Sequence, residues 1–145
     1  MLAILLTVVV GILGGLAVGM QGPIAGAISQ RVGGTTSSLI VHVSGAVLSG
    51  LLLLARGGEQ IGNWRSLSWY MWGAGFFGVV LYLTLSYTLP RLGATSALAL
   101  IIIGQLAMGM FIDQFGLFDV AVRPVDAGRI VAALFLLVGG YLMLR

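Results

Sequence analysis

Residues 92–112 read LGATSALALIIIGQLAMGMFI, a run without a charged side chain between Arg91 and Asp113. A helix that crosses the hydrocarbon core of a bilayer needs about 20 predominantly apolar residues. The run has that length and is rich in leucine, isoleucine, alanine and methionine. It therefore predicts a transmembrane helix near residues 94–112.

Uncharged runs on both sides of this segment extend the same pattern. They predict further transmembrane helices near residues 2–20, 36–55, 69–88 and 127–144. The last run is short, and it reaches spanning length if its helix begins near residue 125 and the Arg129 side chain extends to the lipid headgroups. The sequence thus predicts an all-α integral membrane protein with five transmembrane helices in a single membrane domain, residues 1–145.

The overall composition agrees with a chain that faces lipid. Apolar residues make up 59% of the chain, charged residues only 8%, and the mean hydropathy is +1.13. The surface of a soluble domain needs about 25% charged residues. The seven cationic side chains are all arginines and are scattered singly, so the basic pI does not indicate nucleic-acid binding. Since no Lys or Arg precedes Arg31, the first helix is expected to be retained and not cleaved as a signal peptide.

Helix-breaking residues lie near the ends of the predicted helices. Gly22-Pro23 is expected to break the first helix, with residues 24–30 forming a short interfacial helix. Residues 56–59, RGGE, are expected to close the second helix, and residues 90–93, PRLG, to form the turn of an antiparallel helical hairpin. The aromatic side chains expected at one membrane interface are Trp64, Trp69, Tyr70 and Trp72.

Small residues recur every four positions along the first helix, where Gly11, Gly15 and Gly19 follow Thr7. Helices in lipid associate by close backbone approach, which small side chains permit. This stripe therefore predicts a helix-packing face. The alternative is that glycine is simply common in membrane helices.

The arginines are almost evenly divided between the two sides of a five-helix chain. The side that holds the N-terminus has four and the opposite side three. The four on the side of the N-terminus are Arg56, Arg65, Arg123 and Arg129. The three on the opposite side are Arg31, Arg91 and Arg145. Because the positive-inside bias sets orientation, such a chain is expected to insert in both directions and to pair as an antiparallel dimer, an inverted-repeat arrangement found in secondary transporters. The alternatives are that one arginine suffices, or that a partner protein fixes the orientation.

Several segments resemble the YdcZ-like family of small proteins in the drug/metabolite transporter superfamily. They include GGLAVGMQGPIAGAISQRVGG at 14–34 and WGAGFFGVVLYLTL at 72–85. The most specific are PRLGA at 90–94, GQ at 104–105 and IDQFG at 112–116. The resemblance implies half of a ten-helix transporter in the bacterial cytoplasmic (inner) membrane. It further implies an antiparallel homodimer, or a pair with a homologous short subunit, that transports small solutes by alternating access.

Two positions depart from the pattern of that family. Ala25 stands where the family usually has asparagine after QGP, and His42 precedes Gly45 where a phenylalanine is usual. A specialised substrate or an unlike pair of subunits would account for both departures.

Polar side chains inside the predicted helices are the candidate site, because they are costly in hydrocarbon unless they face a cavity or a partner. Those predicted to bind a neutral or amphipathic solute are Gln21, His42, Tyr82, Ser86 and Gln105. His42 and Asp113 are also candidates for carrying a coupling proton, since histidine changes charge near neutral pH. For each of them the alternative is an ordinary interhelical hydrogen bond, packing, or a solvated carboxylate.

Enzymatic signatures are absent from the sequence. There is no cysteine, the one histidine and four carboxylates have no recognised metal-ligand spacing, and no phosphate-binding loop is found. We therefore expect no cofactor, no metal and no enzymatic activity. A secondary transporter of small metabolites or drug-like molecules is the favoured function. The alternatives are a structural or regulatory membrane subunit without transport, one half of an obligate heterodimeric transporter and, last, an intramembrane enzyme.

Overall fold

The computed structural model describes residues 1–145 and contains α-helices, 3-10 helices and short connections. It divides into two compact units, Met1–Pro90 and Arg91–Arg145. The first unit contains helices α1, Leu2–Val32, and α2, Gly34–Ala55. A single residue, Gly33, joins them with φ 89 and ψ 155, a conformation that favours glycine because it has no Cβ.

Helix α1 does not end at Gly22-Pro23, so that prediction and the separate interfacial helix over 24–30 are wrong. The helix continues through Pro23 to Val32. Proline has the φ of a helix and removes one hydrogen bond, and membrane helices tolerate this loss where neighbouring groups compensate for it. The segment around Pro23 is also the part of α1 that packs, since Ala25 and Gly26 are buried.

Buried contacts hold α1 and α2 together close to their junction. Ser37, which is 1% exposed, donates a hydrogen bond of 2.6 Å to the carbonyl oxygen of Ala25. Gly26 makes a second contact, with Leu89 further along the chain and not with α2: an added Cβ would be 2.5 Å from the Leu89 Cδ1 atom. These contacts keep the second half of α1 helical beyond the proline.

The second helix ends as the sequence predicts. After Ala55 the backbone turns through residues with positive φ, namely Gly57, Gly58 and Glu59. Two 3-10 helices follow, Ile61–Ser66 and Trp69–Gly73, and the ring centroids of Trp64 and Trp72 lie 5.6 Å apart. The next α-helix begins at Ala74, five residues after the start of the span that was predicted near 69–88.

Helix α3 is one long helical run, Ala74–Phe115, with a single non-helical residue, Gly93, at φ 75 and ψ 169. The predicted turn over residues 90–93 is thus reduced to Gly93, because Pro90 and the two residues after it stay helical. The boundary between the two units falls in this place, between Pro90 and Arg91. An antiparallel hairpin there stays a prediction.

The second unit contains the rest of α3, a short 3-10 helix, Leu117–Asp119, and helix α4, Ala127–Met143. The N-cap of α4 is Asp126, whose carboxylate accepts a hydrogen bond from the backbone N–H of Arg129 at 2.8 Å. At its other end, Ser96 donates a hydrogen bond of 2.6 Å to the carbonyl oxygen of Met143. α4 is therefore fixed to α3 near its C-terminus.

Three helical stretches are long and apolar enough to cross a membrane: Leu2–Val32, Gly34–Ala55 and Trp69–Phe115. Ala127–Met143 is a shorter apolar helix. The long third stretch covers the spans predicted near 69–88 and 94–112, so the number of five crossings stays a prediction. The fold is that of an all-helical membrane protein.

Candidate functional site

His42 is held on α2 by the backbone one turn before it. Its Nδ1 atom lies 2.7 Å from the carbonyl oxygen of Ser38 and 3.3 Å from the Ser38 hydroxyl. A carbonyl oxygen can only accept, so in a neutral ring the hydrogen is carried by Nδ1 and Nε2 has a lone pair. The half-buried imidazole thus offers one acceptor that its own helix does not use.

The imidazole of His42 packs against α3. Its ring meets the ring of Tyr82 edge-to-face, with centroids 5.4 Å apart and an interplanar angle of 82°. On the same helix Gly78 provides the space for Nε2, since an added Cβ would lie 2.5 Å from that atom. The structure therefore brings together two of the predicted site residues, His42 and Tyr82.

Ser86 lies one turn beyond Tyr82 and contacts the start of α2. Its hydroxyl donates to the carbonyl oxygen of Tyr82 at 2.8 Å. An added Cβ on Gly34 would lie 2.9 Å from the Ser86 hydroxyl oxygen. Ser38, Tyr82 and Ser86 thus form with His42 a polar cluster between α2 and α3, which we call the His42 cluster.

Gln21 and the glycine stripe of α1 lie outside this cluster. Gln21 is exposed, and Cβ atoms added at Gly11, Gly15 and Gly19 would meet nothing within 4 Å. Large apolar side chains of the same half of α1 are also exposed, for example Leu13 at 58%. Packing at the glycine stripe therefore stays a prediction, and within the chain the stripe has no packing partner.

Asp113 forms an ion pair in the second unit. Its Oδ2 atom lies 3.0 Å from the Nη1 atom of Arg129, and each side chain is about one-third exposed, at 30% for Asp113 and 31% for Arg129. The same guanidinium donates to the carbonyl oxygen of Arg123 at 3.2 Å. Two further bonds join the connecting segment to the end of α3: Arg123 N to Asp113 O at 2.8 Å and Val125 N to Gln114 Oε1 at 2.7 Å.

A cavity of about 550 Å³ opens beside this ion pair, between α3 and α4. Asp113 and Arg129 are the charged residues in its wall. The remaining lining is aliphatic or methionine: Ile103, Leu106, Ala107, Met110, Ala132, Ala133, Leu136 and Leu137. Both helices therefore contribute apolar walls to one space with charge at one end.

Gln105 is exposed and does not line this cavity, although Asp113, two turns further along the helix, does. A role of Gln105 in solute binding stays a prediction. Sequence reasoning assigned Arg129 only to the lipid headgroups and missed its pairing with Asp113. Their separation of 16 residues across an irregular segment gives no periodic signal, but both residues flank the longest polar segment of the chain.

No group of three or more His, Cys, Asp or Glu side chains in the structure is placed to hold a metal ion. The interactions in the His42 cluster are hydrogen bonds and a ring contact, and Asp113 and Arg129 form an ion pair.

Comparison with family models gives one match, which covers residues 6–142. The matched family, DMT_YdcZ, is described as "Putative inner membrane exporter, YdcZ". Neither the curated proteins nor the solved structures contain a match to the chain.

Proposed function

Because the chain belongs to the YdcZ family, whose description is that of an inner membrane exporter, we propose that it exports small neutral or amphipathic solutes as an antiparallel dimer. The observation that carries the proposal is the family match over nearly the whole chain. With its long apolar helices, the chain is a multi-pass protein of the inner membrane. Alternating access of a site near the membrane midplane is the mechanism that such pairs use.

The His42 cluster supports a solute of modest polarity. It contains an imidazole, hydroxyl groups and an aromatic ring, and it has no carboxylate or guanidinium. An anion would find no charged partner there, and a permanent cation would find only the ring of Tyr82. Solutes with a donor group and an apolar body are complementary to this set.

Exposed features of the chain support a dimer. The glycine stripe of α1 and the exposed side chain of Gln105 would both face lipid in a single copy. A polar amide facing hydrocarbon loses hydrogen bonds worth roughly 1–3 kcal/mol, and small residues permit close helix contact. Contact with a second copy of the chain would cover such a feature, and the nearly balanced arginine count, four against three, would permit its inverted insertion.

The test is transport by the purified chain in vesicles. Vesicles preloaded with a candidate neutral amphipathic solute are diluted into labelled solute, and counterflow is measured. The proposal expects labelled solute to accumulate and then leave as the gradient decays. A chain that binds solute without counterflow would be a non-transporting subunit, and counterflow that needs a co-expressed homologue would establish an obligate heterodimer.

The dimer has its own test. The chain has no cysteine, so single cysteines placed near either terminus can be labelled by an impermeant reagent from one side of sealed inner-membrane vesicles. An antiparallel homodimer gives half-labelling at both positions. Complete labelling from one side, with no inverted partner copurifying, would contradict it.

A further inference from the structure

We infer that the cavity between α3 and α4 is a further binding site, which shares no residue with the His42 cluster and takes an amphiphile with an aliphatic chain and a zwitterionic head. The cavity has about 550 Å³ of space and its only charged lining residues are Asp113 and Arg129. This inference concerns equilibrium binding, so it does not depend on the proposed export.

The shape of the cavity fits a chain with a head at one end. Its lining on α3 runs from Ile103 to Asp113, which corresponds to a rise of roughly 15 Å along a helix. The charged pair lies at the end that adjoins the polar segment 116–126. A bound head would therefore lie toward the membrane surface, and the aliphatic chain would extend along the apolar walls.

The ion pair leaves hydrogen-bonding atoms for a ligand. Asp113 uses Oδ2 for Arg129, and its Oδ1 atom has no protein partner. Arg129 uses Nη1 for Asp113 and for the carbonyl oxygen of Arg123, so its Nη2 and Nε atoms remain for a ligand. A phosphate or carboxylate of the ligand can accept from the guanidinium while an ammonium group approaches the carboxylate.

Charge selects the zwitterion over either single charge. An anionic head on Arg129 would also meet the carboxylate of Asp113, and a cationic head on Asp113 would meet the guanidinium of Arg129. A head that carries both charges satisfies both groups without leaving one unpaired. The pair therefore favours one class of head and rejects two others.

The direct test is photo-crosslinking of the full chain in maltoside micelles. The probe is dodecylphosphocholine with a diazirine in its alkyl chain, and the labelled residues are mapped by mass spectrometry. Labelling is expected within residues 103–110 and 132–137. Unlabelled dodecylphosphocholine should compete better than dodecyl sulfate, dodecyltrimethylammonium or dodecyl maltoside. Labelling spread evenly over the exposed half of α1, or equal competition by all four heads, would overturn the inference.

Two substitutions at nearby positions of α4 distinguish loss of binding through filling of the cavity from loss of binding through a disturbed fold. Ala133→Phe places a ring in the cavity, whereas Val131→Phe adds the same ring at an exposed position outside it. Ala133→Phe should lower labelling about tenfold and Val131→Phe should leave it unchanged. Equal labelling of both variants, or crosslinks between two copies in place of crosslinks to the probe, would overturn the inference.

The head is tested by exchanging its charge partners. Arg129→Gln should shift the preference toward dodecyltrimethylammonium, and Asp113→Asn toward dodecyl sulfate, each by about tenfold. If the ion pair only stabilises the segment between α3 and α4, both substitutions would lower labelling by all probes alike. That result would overturn the assignment of a zwitterionic head to this pair. A phosphatidylethanolamine with a diazirine chain, tested beside the single-chain probe, shows whether the natural source is a bilayer lipid or a dissolved solute.

Discussion

Gly78 is the residue that lets the imidazole of His42 approach α3. A methyl group there would lie 3.3 Å from Cε1 and 2.5 Å from Nε2, and real Cβ atoms essentially never come within 3.0 Å of another atom. The ring cannot retreat freely, because its Nδ1 atom is hydrogen-bonded to the carbonyl oxygen of Ser38. The contact between α2 and α3 is therefore sensitive to a single carbon at this position.

We expect Gly78→Ala to lower the free energy of unfolding by about 1–3 kcal/mol through overpacking against His42. Gly75→Ala is the matched control, because its Cβ would meet nothing within 4 Å on the same helix. Thermal unfolding of the purified variants in maltoside micelles measures the difference. His42→Ala in the Gly78→Ala background should recover part of the loss. Equal stability of the two alanine variants would show that this contact does not form.

His42→Phe should preserve the fold and change the solute selectivity of transport. The substitution keeps a ring for the contact with Tyr82 and removes both nitrogens, so the His42 cluster loses the hydrogen-bonding groups of the imidazole. Counterflow of solutes with a donor group is expected to fall about tenfold in the variant relative to counterflow of solutes without one. His42→Leu, which also lacks the nitrogens, repeats the test. The same selectivity in the parent and both variants would make the residue structural.

At the scale of helices, the end of α2 at Ala55 was predictable from local chemistry, because RGGE acts through its own residues. The path of α1 through Pro23 was not predictable in this way. Contacts made by Ala25 and Gly26 with distant parts of the chain outweigh the lost hydrogen bond. The ion pair of Asp113 and Arg129 was also missed, because it joins residues that are far apart along the chain.

Ser37→Ala should cost about 1 kcal/mol of stability, because it removes the 2.6 Å hydrogen bond between α2 and the Ala25 carbonyl in a fully buried place. Ser44→Ala is the control on the same helix, since the Ser44 hydroxyl is exposed and bonds only the carbonyl oxygen of Val41. Chemical denaturation in mixed micelles gives both values. A loss in Ser44→Ala as large as in Ser37→Ala would refute a specific bond between the helices.

At the scale of the whole molecule, the proposed balance of orientations depends on one arginine. The proposed five crossings leave four arginines on the side of the N-terminus and three on the other. Orientation follows the excess of Lys and Arg in short loops, and an excess of one is a weak signal. The numbers of arginines on the two sides follow from the sequence and the proposed crossings, whereas a single chain does not specify where a second copy binds.

Removal of one arginine should therefore change the ratio of the two orientations in the membrane. Arg145→Gln leaves four against two and should bring most N-termini to the cytoplasmic side, whereas Arg65→Gln leaves three against three and should keep both orientations. Labelling of a single cysteine near the N-terminus in sealed vesicles gives the fraction of each. An unchanged fraction in Arg145→Gln would mean that a partner or the helices themselves fix the orientation.

The one-residue junction at Gly33 makes α1 a lever. With 31 residues the helix is roughly 46 Å long, and its only link to α2 along the chain is the pair of torsion angles at that glycine. A rotation of about 10° there would carry the far end of α1 through roughly 8 Å, a large fraction of a helix diameter. The bond between Ser37 and the Ala25 carbonyl lies eight residues from Gly33, or about 12 Å along the helix, where the same rotation would displace atoms by about 2 Å. A displacement at this bond would thus be accompanied by one about four times as large at the end of α1 where the N-terminus lies.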